Sequence, residues 1–179
     1  MSIQNVEIKA RTSNQEFIRQ ILRDRDADFK GVDHQIDTYF RVSSGRLKLR
    51  EGNIENNLIH YHRKDTGGPK GSEIMLYPCE SDSSALKKIL TNAMGVLVVV
   101  DKKREIYFID NVKFHIDSVT SLGSFVEIEA IDVDASIGNE KLQSQCEYYI
   151  SLFDIADEDM VASSYSDLLM PGPSGSSDP

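Results

Sequence analysis

Eight stretches of this chain alternate at a period of two, and in nearly all of them charged residues alternate with apolar ones. Side chains at i, i+2 and i+4 share one face of a β-strand. Glu7, Lys9 and Arg11 therefore oppose Val6, Ile8 and Ala10, and Arg46, Lys48 and Arg50 oppose Leu47 and Leu49. Asp37, Tyr39 and Arg41 oppose Thr38, Phe40 and Val42, Tyr61 and Arg63 share a face, and so do Lys102 and Arg104. Lys113, His115 and Asp117 oppose Val112, Phe114 and Ile116, and Glu127 and Glu129 oppose Val126, Ile128 and Ala130. One solvated face explains any single strand of this kind. Nearly every strand charged on one face and apolar on the other describes something more: a sheet whose charged face, if the sheet closes, lines an interior.

The strands are expected at Ile3–Arg11, Asp37–Val42, Arg46–Glu51, Asn57–Lys64, Ser72–Tyr77, Val98–Phe108, Val112–Ser118 and Ser124–Ile131. Ser43-Ser44-Gly45, Asp110-Asn111 and Ser121-Leu122-Gly123 read as turns. Ser13-Asn14-Gln15-Glu16 reads as a capping box before Phe17, Ile18, Ile21 and Leu22 at helical spacing. Leu86, Ile89, Leu90 and Ala93 give a second helical stripe, Leu142, Cys146, Tyr149, Ile150 and Phe153 a third, and Val161–Leu169 a short fourth. The fold class is α+β: an eight-stranded antiparallel β-barrel, or tunnel, with flanking helices, since closure removes exposed edges. One domain over residues 1–169 fits the length of 179, and the Pro/Gly/Ser-rich residues 170–179 read as a disordered tail.

The net charge of −9 argues against a general nucleic-acid or anionic-membrane partner. The longest apolar run, Val96 to Val100, is far short of a membrane span. No signal-peptide pattern opens the chain, and two cysteines make no disulfide framework, so a cytoplasmic location is expected.

A closed sheet would crowd Lys9, Arg11, Lys48, Arg50, Arg63, Lys102 and Arg104 into its lumen, where they need an anion. Glu7, Asp117, Glu127 and Glu129 would form an acidic cluster beside them. Oxygen-only ligands suit Mg²⁺ or Mn²⁺ held jointly with phosphates, and fork donors plus a divalent cation are what a polyphosphate requires. His115 reads as a hydrogen-bonded structural histidine. His60 and His62 have no evident third metal ligand, and Cys146 sits on an apolar helix stripe. Tyr39 fits a site role and a packing role equally. The loop Asp65–Gly71 lacks the phosphate-loop pattern GxxxxGK[ST].

The ordered set of motifs resembles the CYTH family, the triphosphate tunnel metalloenzymes. NVEIKAR (Asn5–Arg11) resembles its ExExK signature; DTYF, GRLKLRE, IHYHRKD, DKKREIYF, VKFHID, LGSFVEIEA and SYSDLL follow in order, across about residues 3–169. The resemblance implies Glu7, Asp117, Glu127 and Glu129 as metal ligands for Mg²⁺ or Mn²⁺. It implies Lys9, Lys48, Arg50, Arg63, Lys102 and Arg104 as phosphate-binding positions, with Arg11 beside them. Of these, Lys9, Arg50, Arg63 and Arg104 are the candidates for catalysis. Asn5 replaces the first Glu of the signature and removes one negative charge from the cation site. The implied partner is a triphosphate-bearing small molecule. Three functions stay open: hydrolysis of an inorganic or organic triphosphate, which needs only the phosphate grip; cyclisation of ATP in the manner of a class IV adenylyl cyclase; and non-catalytic polyphosphate binding.

Overall fold

The computed structural model describes residues 4–62, 74–80 and 82–170. The chain runs β1 (Gln4–Arg11), α1 (Gln15–Asp24), β2 (Asp28–Phe40), β3 (Arg46–Glu51), β4 (Asn57–Tyr61) and β5 (Ile74–Pro78). It continues through α2 (Ser84–Met94), β6 (Val96–Ile109), β7 (Val112–Val119), β8 (Gly123–Asp132), α3 (Asn139–Leu152), a 3₁₀ turn (Asp157–Asp159) and α4 (Tyr165–Leu169). The eight strands form one antiparallel sheet in the order β1-β8-β7-β6-β2-β3-β4-β5. The expected sheet is present, curled into a half-barrel whose first and last strands both line one cavity. Among the described residues β1 and β5 do not pair with each other. The free edge of β1 is instead met by the extended segment before α4: Ala10 bridges Met160, and the Val161 N–H donates to the Lys9 carbonyl at 2.8 Å.

The alternation sorts three apolar clusters. Val6 and Ala10 of β1, Phe114 and Ile116 of β7, and Val126 and Ile128 of β8 pack on the outer side with Ile18 and Leu22 of α1 and Leu142, Cys146 and Tyr149 of α3. Phe114, fully buried, meets Tyr149 and Phe153 edge-on at 4.6 and 5.7 Å; losing such a ring costs about 3–5 kcal/mol. Phe40 and Leu49 pack with Leu90 of α2. The third cluster, Tyr39, Val100, Val119 and Phe125 with Tyr165 of α4, has the strand parity of the charged face. It fills one end of the curl.

Several boundaries differ from the sequence expectation. β2 begins at Asp28, nine residues earlier than Asp37; in its first half Asp33 and Gln35 are buried while Val32 and His34 on the other face are exposed, so no apolar outer face marks it in the sequence. A register shift between Phe29 and Gly31 further disguises its start. The first helix is capped by Asn14, whose side chain accepts from the Phe17 N–H, so the cap lies one residue after Ser13. The fourth helix spans only Tyr165–Leu169, behind a capping box of Ser164 and Asp167; residues 161–164 precede it. Arg63, Lys64, the Asp65–Gly71 loop and the start of the Ser72–Tyr77 segment lie outside the described residues, as does the expected tail beyond Met170. Cys79 and Cys146 are both unpaired thiols. Among the described residues no helix is long and apolar enough to cross a membrane.

Candidate active site

The concave face of the sheet encloses a cavity of about 580 Å³. Cross-strand register decides what faces it. Asp37 stands opposite Arg50, Arg104 opposite Asp117, Lys9 opposite Glu127, and Glu7 opposite Glu129. Opposed residues on one face lie close enough to interact directly, so pairs of opposite charge are built into the pairing of the strands.

Two carboxylate centres organise the basic side chains. Asp37 accepts from Lys48 Nζ at 2.9 Å, from Lys102 Nζ at 2.9 Å, and from Arg50 Nε and Nη2 at 2.8 and 2.9 Å. Burial alone would raise its pKa, yet the charges of Lys48, Lys102 and Arg50 together hold it well below the usual carboxylate range. Lys102 has the opposite balance. Burial, reinforced by Arg104, Arg50 and Lys48, lowers it to about 7 despite Asp37. The second centre joins Arg104 to Asp117 at 2.8 and 2.5 Å and to Glu127 at 2.6 Å. Glu127 also meets Lys9 at 3.2 Å and His115 Nδ1 at 3.0 Å. Burial opposes the charge of Glu127, but Arg104 and Lys9 keep its pKa well below normal.

A third acidic group comes from the β3–β4 turn. Glu55 accepts from Arg50 Nη1 at 2.7 Å and from Lys113 at 3.4 Å. Burial works against its charge, yet Lys113 and Arg50 lower it to about 2. The turn is fixed from beneath by buried Asp33, whose carboxylate accepts the N–H groups of Asn53, Ile54 and Glu55 at 2.6, 2.9 and 3.1 Å. Gly52 permits that approach: a Cβ there would lie 2.7 Å from the Asp33 carboxylate.

The structure brings together most of the residues singled out in the sequence. Lys9, Lys48, Arg50, Lys102, Arg104, Glu7, Glu127 and Glu129 all line the cavity. Arg11 does not. One step beyond Lys9 the lumen is filled by Phe125 and Tyr165, so Arg11 lies over the Phe125 ring at 4.8 Å and donates to the Leu122 carbonyl at 3.0 Å. Arg63 is outside the described residues. Asp117 lies behind the wall, fully buried, with its oxygens engaged by Arg104 and by the Tyr165 hydroxyl at 2.7 Å.

The lumen is also less basic than the sequence suggested. Among the described residues six basic and five acidic side chains line it, so the anion the lysines and arginines need is largely internal. Asp37 and Glu55 supply it, and neither stood out in the sequence as a ligand. Asp37 lay within the DTYF motif at the right parity; Glu55 sits in a turn, where periodicity says nothing. His115 is the hydrogen-bonded buried histidine expected of it, and its Nε2 has no partner among the described residues. Its pKa is lowered by burial first and by Arg104 second. Tyr39 both lines the cavity and packs in the third cluster.

For a divalent cation the donor set is uneven. Among the described residues no three His, Cys, Asp or Glu side chains are gathered around one point. Asp117 does not fit as a ligand, since its oxygens are taken. Glu7 and Glu129 do: they are cross-strand partners, offer only oxygen, and crowd Glu127. Glu7 meets solvent through the cavity while the surrounding walls displace much of its water. Burial first, then Glu127, raise its pKa to about 7, a repulsion that a bound cation would relieve. Asn5 donates to Glu129 at 2.7 Å, so it takes up by hydrogen bonding what a glutamate there would oppose by charge.

The sequence matches the profile of the CYTH domain over residues 4–158. No curated protein sequence matches it. Among solved structures, the chain is similar to the PH1012 protein of Pyrococcus horikoshii OT3 at 24% identity and a TM-score of 0.79, covering 92% of this chain and 98% of that one. An adenylate cyclase candidate of Vibrio parahaemolyticus superposes at 18% identity and a TM-score of 0.70, over 93% and 97% of the two chains. HpAC1 from Hippeastrum, an adenylyl cyclase candidate described by a dominant triphosphatase activity, superposes at 12% identity and a TM-score of 0.62, over 94% and 93%. At these identities the likenesses establish the fold.

Proposed function

Because the chain belongs to the CYTH family, we propose that it is a divalent-metal-dependent phosphohydrolase that takes a triphosphate, inorganic or organic, into the cavity of its curled sheet. The reading rests on one arrangement: Lys9, Lys48, Arg50, Lys102, Arg104 and Lys113 face the same space as Glu7, Glu127 and Glu129.

Phosphoryl transfer needs positioning and charge stabilisation more than covalent chemistry from the protein. A lysine ammonium carries three donors, so the bonds to Asp37 do not exhaust Lys48 or Lys102. Those two, with Lys9, Arg50, Arg104 and Arg63 of the sequence motif, are assigned to the phosphate oxygens. Of these, Lys9, Arg50 and Arg104, with Arg63 on the strength of the sequence motif alone, are the proposed catalytic cations. The near balance of charge in the cavity has a consequence. A triphosphate brings several negative charges that the protein's own cations, already partly neutralised, do not cover. A divalent cation closes that gap. Glu7 and Glu129, with Glu127 beside them, are the residues that would hold Mg²⁺ or Mn²⁺, and the ion supplies charge neutralisation at the phosphoryl oxygens. Asp117 acts instead through Arg104, fixing the plane of its guanidinium by a two-point bond.

A specific feature favours a second reading. Ile59, Tyr61, Ile74 and Leu76 form an apolar wall on the same cavity, a surface on which a nucleobase would pack. Cyclisation of ATP with release of pyrophosphate would use the same phosphate grip. Incubation with tripolyphosphate and with ATP, with and without Mg²⁺ or Mn²⁺, followed by product analysis, separates the readings. Orthophosphate supports the hydrolase, and cyclic AMP with pyrophosphate supports the cyclase. Binding without either product supports a non-catalytic module, and no binding of any triphosphate overturns all three.

A further inference from the structure

We propose that Asp37 is the positioning residue of the phosphate grip: one carboxylate gathers Lys48, Arg50 and Lys102 from two neighbouring strands and holds their free donors toward the substrate. The proposal rests on the triphosphate reading above.

Asp37 is 1% exposed, and its two oxygens receive four hydrogen bonds from three cations. The register makes this unavoidable. Asp37 stands opposite Arg50 on β3, Lys48 lies two residues before Arg50 on the same face, and Lys102 of β6 stands opposite Gln35, two residues from Asp37 on its face of β2. Three like charges brought this close in a low-dielectric wall repel one another and would turn apart or lose a proton. A single buried anion at their meeting point removes both outcomes. It also fixes the Arg50 fork, because Nε and Nη2 bond one carboxylate edge-on while Nη1 is held by Glu55.

Lys102 is where the effect is measured. Among the described residues, the charged and titratable groups that bear on it most are Asp37 on β2, Arg104 on β6 itself, Lys48 and Arg50 on β3, and the Tyr165 ring of α4 at 6.0 Å. Asp37 is the one anion among them, so Lys102 keeps its proton near neutrality chiefly through Asp37. The rival role is plain competition, in which Asp37 occupies the place of a phosphate oxygen and weakens binding.

The test compares the full-length wild type with Asp37→Asn. The Lys102 side chain is titrated by NMR, and the affinity for imidotriphosphate with Mg²⁺ is measured across the same pH range. Asp37→Asn is expected to move the Lys102 titration at least one pH unit lower and to weaken imidotriphosphate binding at least tenfold at pH 7. Should that variant not fold, Asp37→Glu decides. It keeps the charge but shifts the carboxylate by one methylene, so the titration stays near that of the wild type while affinity falls at least threefold. Unchanged or tighter binding in either variant, against a wild type that binds, overturns the assignment of Asp37 alone. A wild type that binds no imidotriphosphate overturns the triphosphate reading itself.

Discussion

The Tyr165 hydroxyl donates to the Asp117 carboxylate at 2.7 Å, while the Tyr165 ring lies 4.2 Å from the Lys9 ammonium. A helix of five residues thus touches both a buried acid of β7 and a lumen lysine of β1. The helix holds its place because Arg46 of β3 bonds Ser164 at 2.7 Å and Asp167 at 2.8 Å. The closing segment of the chain is a wall of the site as well as a plug.

Tyr165→Phe keeps the ring and removes one hydrogen bond to a charged, buried acceptor. Such bonds contribute about 1.5–3 kcal/mol, and Arg104 still satisfies Asp117. The expected result is a loss of stability in that range in urea unfolding, with the cation–ring contact to Lys9 intact. Tyr165→Ala should cost more, because it also opens the third apolar cluster around Phe125. Equal stabilities of wild type and Tyr165→Phe would show that the hydroxyl contributes nothing in solution.

Arg50→Ala should weaken triphosphate binding by about 1.5–3 kcal/mol, the scale of a lost charge-assisted hydrogen bond. Arg50→Lys should also be impaired. A lysine reaches Asp37 or Glu55 with a point charge, whereas the fork reaches both at once. Titration calorimetry with imidotriphosphate checks both variants, and wild-type affinity in Arg50→Ala would place the residue outside the grip.

The charged face was legible because alternation at a period of two is a strong signal wherever the opposite face is apolar. β1, β3, β7 and β8 meet that condition, and Arg46–Glu51 forms the very strand read from the sequence. The first half of β2 does not. Asp33 and Gln35 are buried polar groups bonded to each other and to the turn 52–55, and Asp37 beyond them takes Lys48 and Arg50 from β3 and Lys102 from β6. Spacing along one strand cannot reveal pairing across strands. That is why the lumen read as basic: its lysines and arginines were visible, but the acids bonded to them became visible only with the register. Asp117 is the converse case. Its parity put it beside Glu127 and Glu129, but only the fold shows that Arg104 and Tyr165 take its oxygens.

Lys102 predicts opposite pH trends for stability and binding. In the folded chain it titrates at about 7, whereas an unfolded lysine titrates near 10.4. Between about pH 7 and pH 10 the unfolded chain therefore binds the extra proton at this position. Stability contributed here rises with pH across that window and is flat below it, where both states are charged. Triphosphate affinity falls over the same range, as the cavity loses a cation. Urea unfolding and imidotriphosphate titration from pH 6.5 to 9.5, each compared with Lys102→Met, isolate the contribution of this lysine. In the variant both slopes attributable to this residue should vanish; slopes identical to the wild type would assign them to other groups.

The cation site yields the last prediction, through Asn5 and Glu129. Asn5 donates to Glu129 at 2.7 Å, and Glu7 faces Glu129 directly across β1 and β8. Glu129→Gln keeps the size of the side chain and removes one of the carboxylates crowded around Glu7. Hard cations bind by charge and oxygen count, so the Mg²⁺ or Mn²⁺ concentration needed for activity should rise sharply, with partial rescue at high metal. Stability in chelator should stay level or rise, because like-charge repulsion is relieved. Asn5→Glu does the reverse. It replaces a donor by an acid next to Glu129, so the metal-free protein should melt lower, and metal should bind more tightly and raise the melting temperature by more than in the wild type. Melting curves in chelator and in Mg²⁺, set beside metal titrations of activity, test both changes on the same samples. Wild-type activity of Glu129→Gln at the wild-type metal optimum would make the Glu129 carboxylate structural and overturn its assignment to the cation.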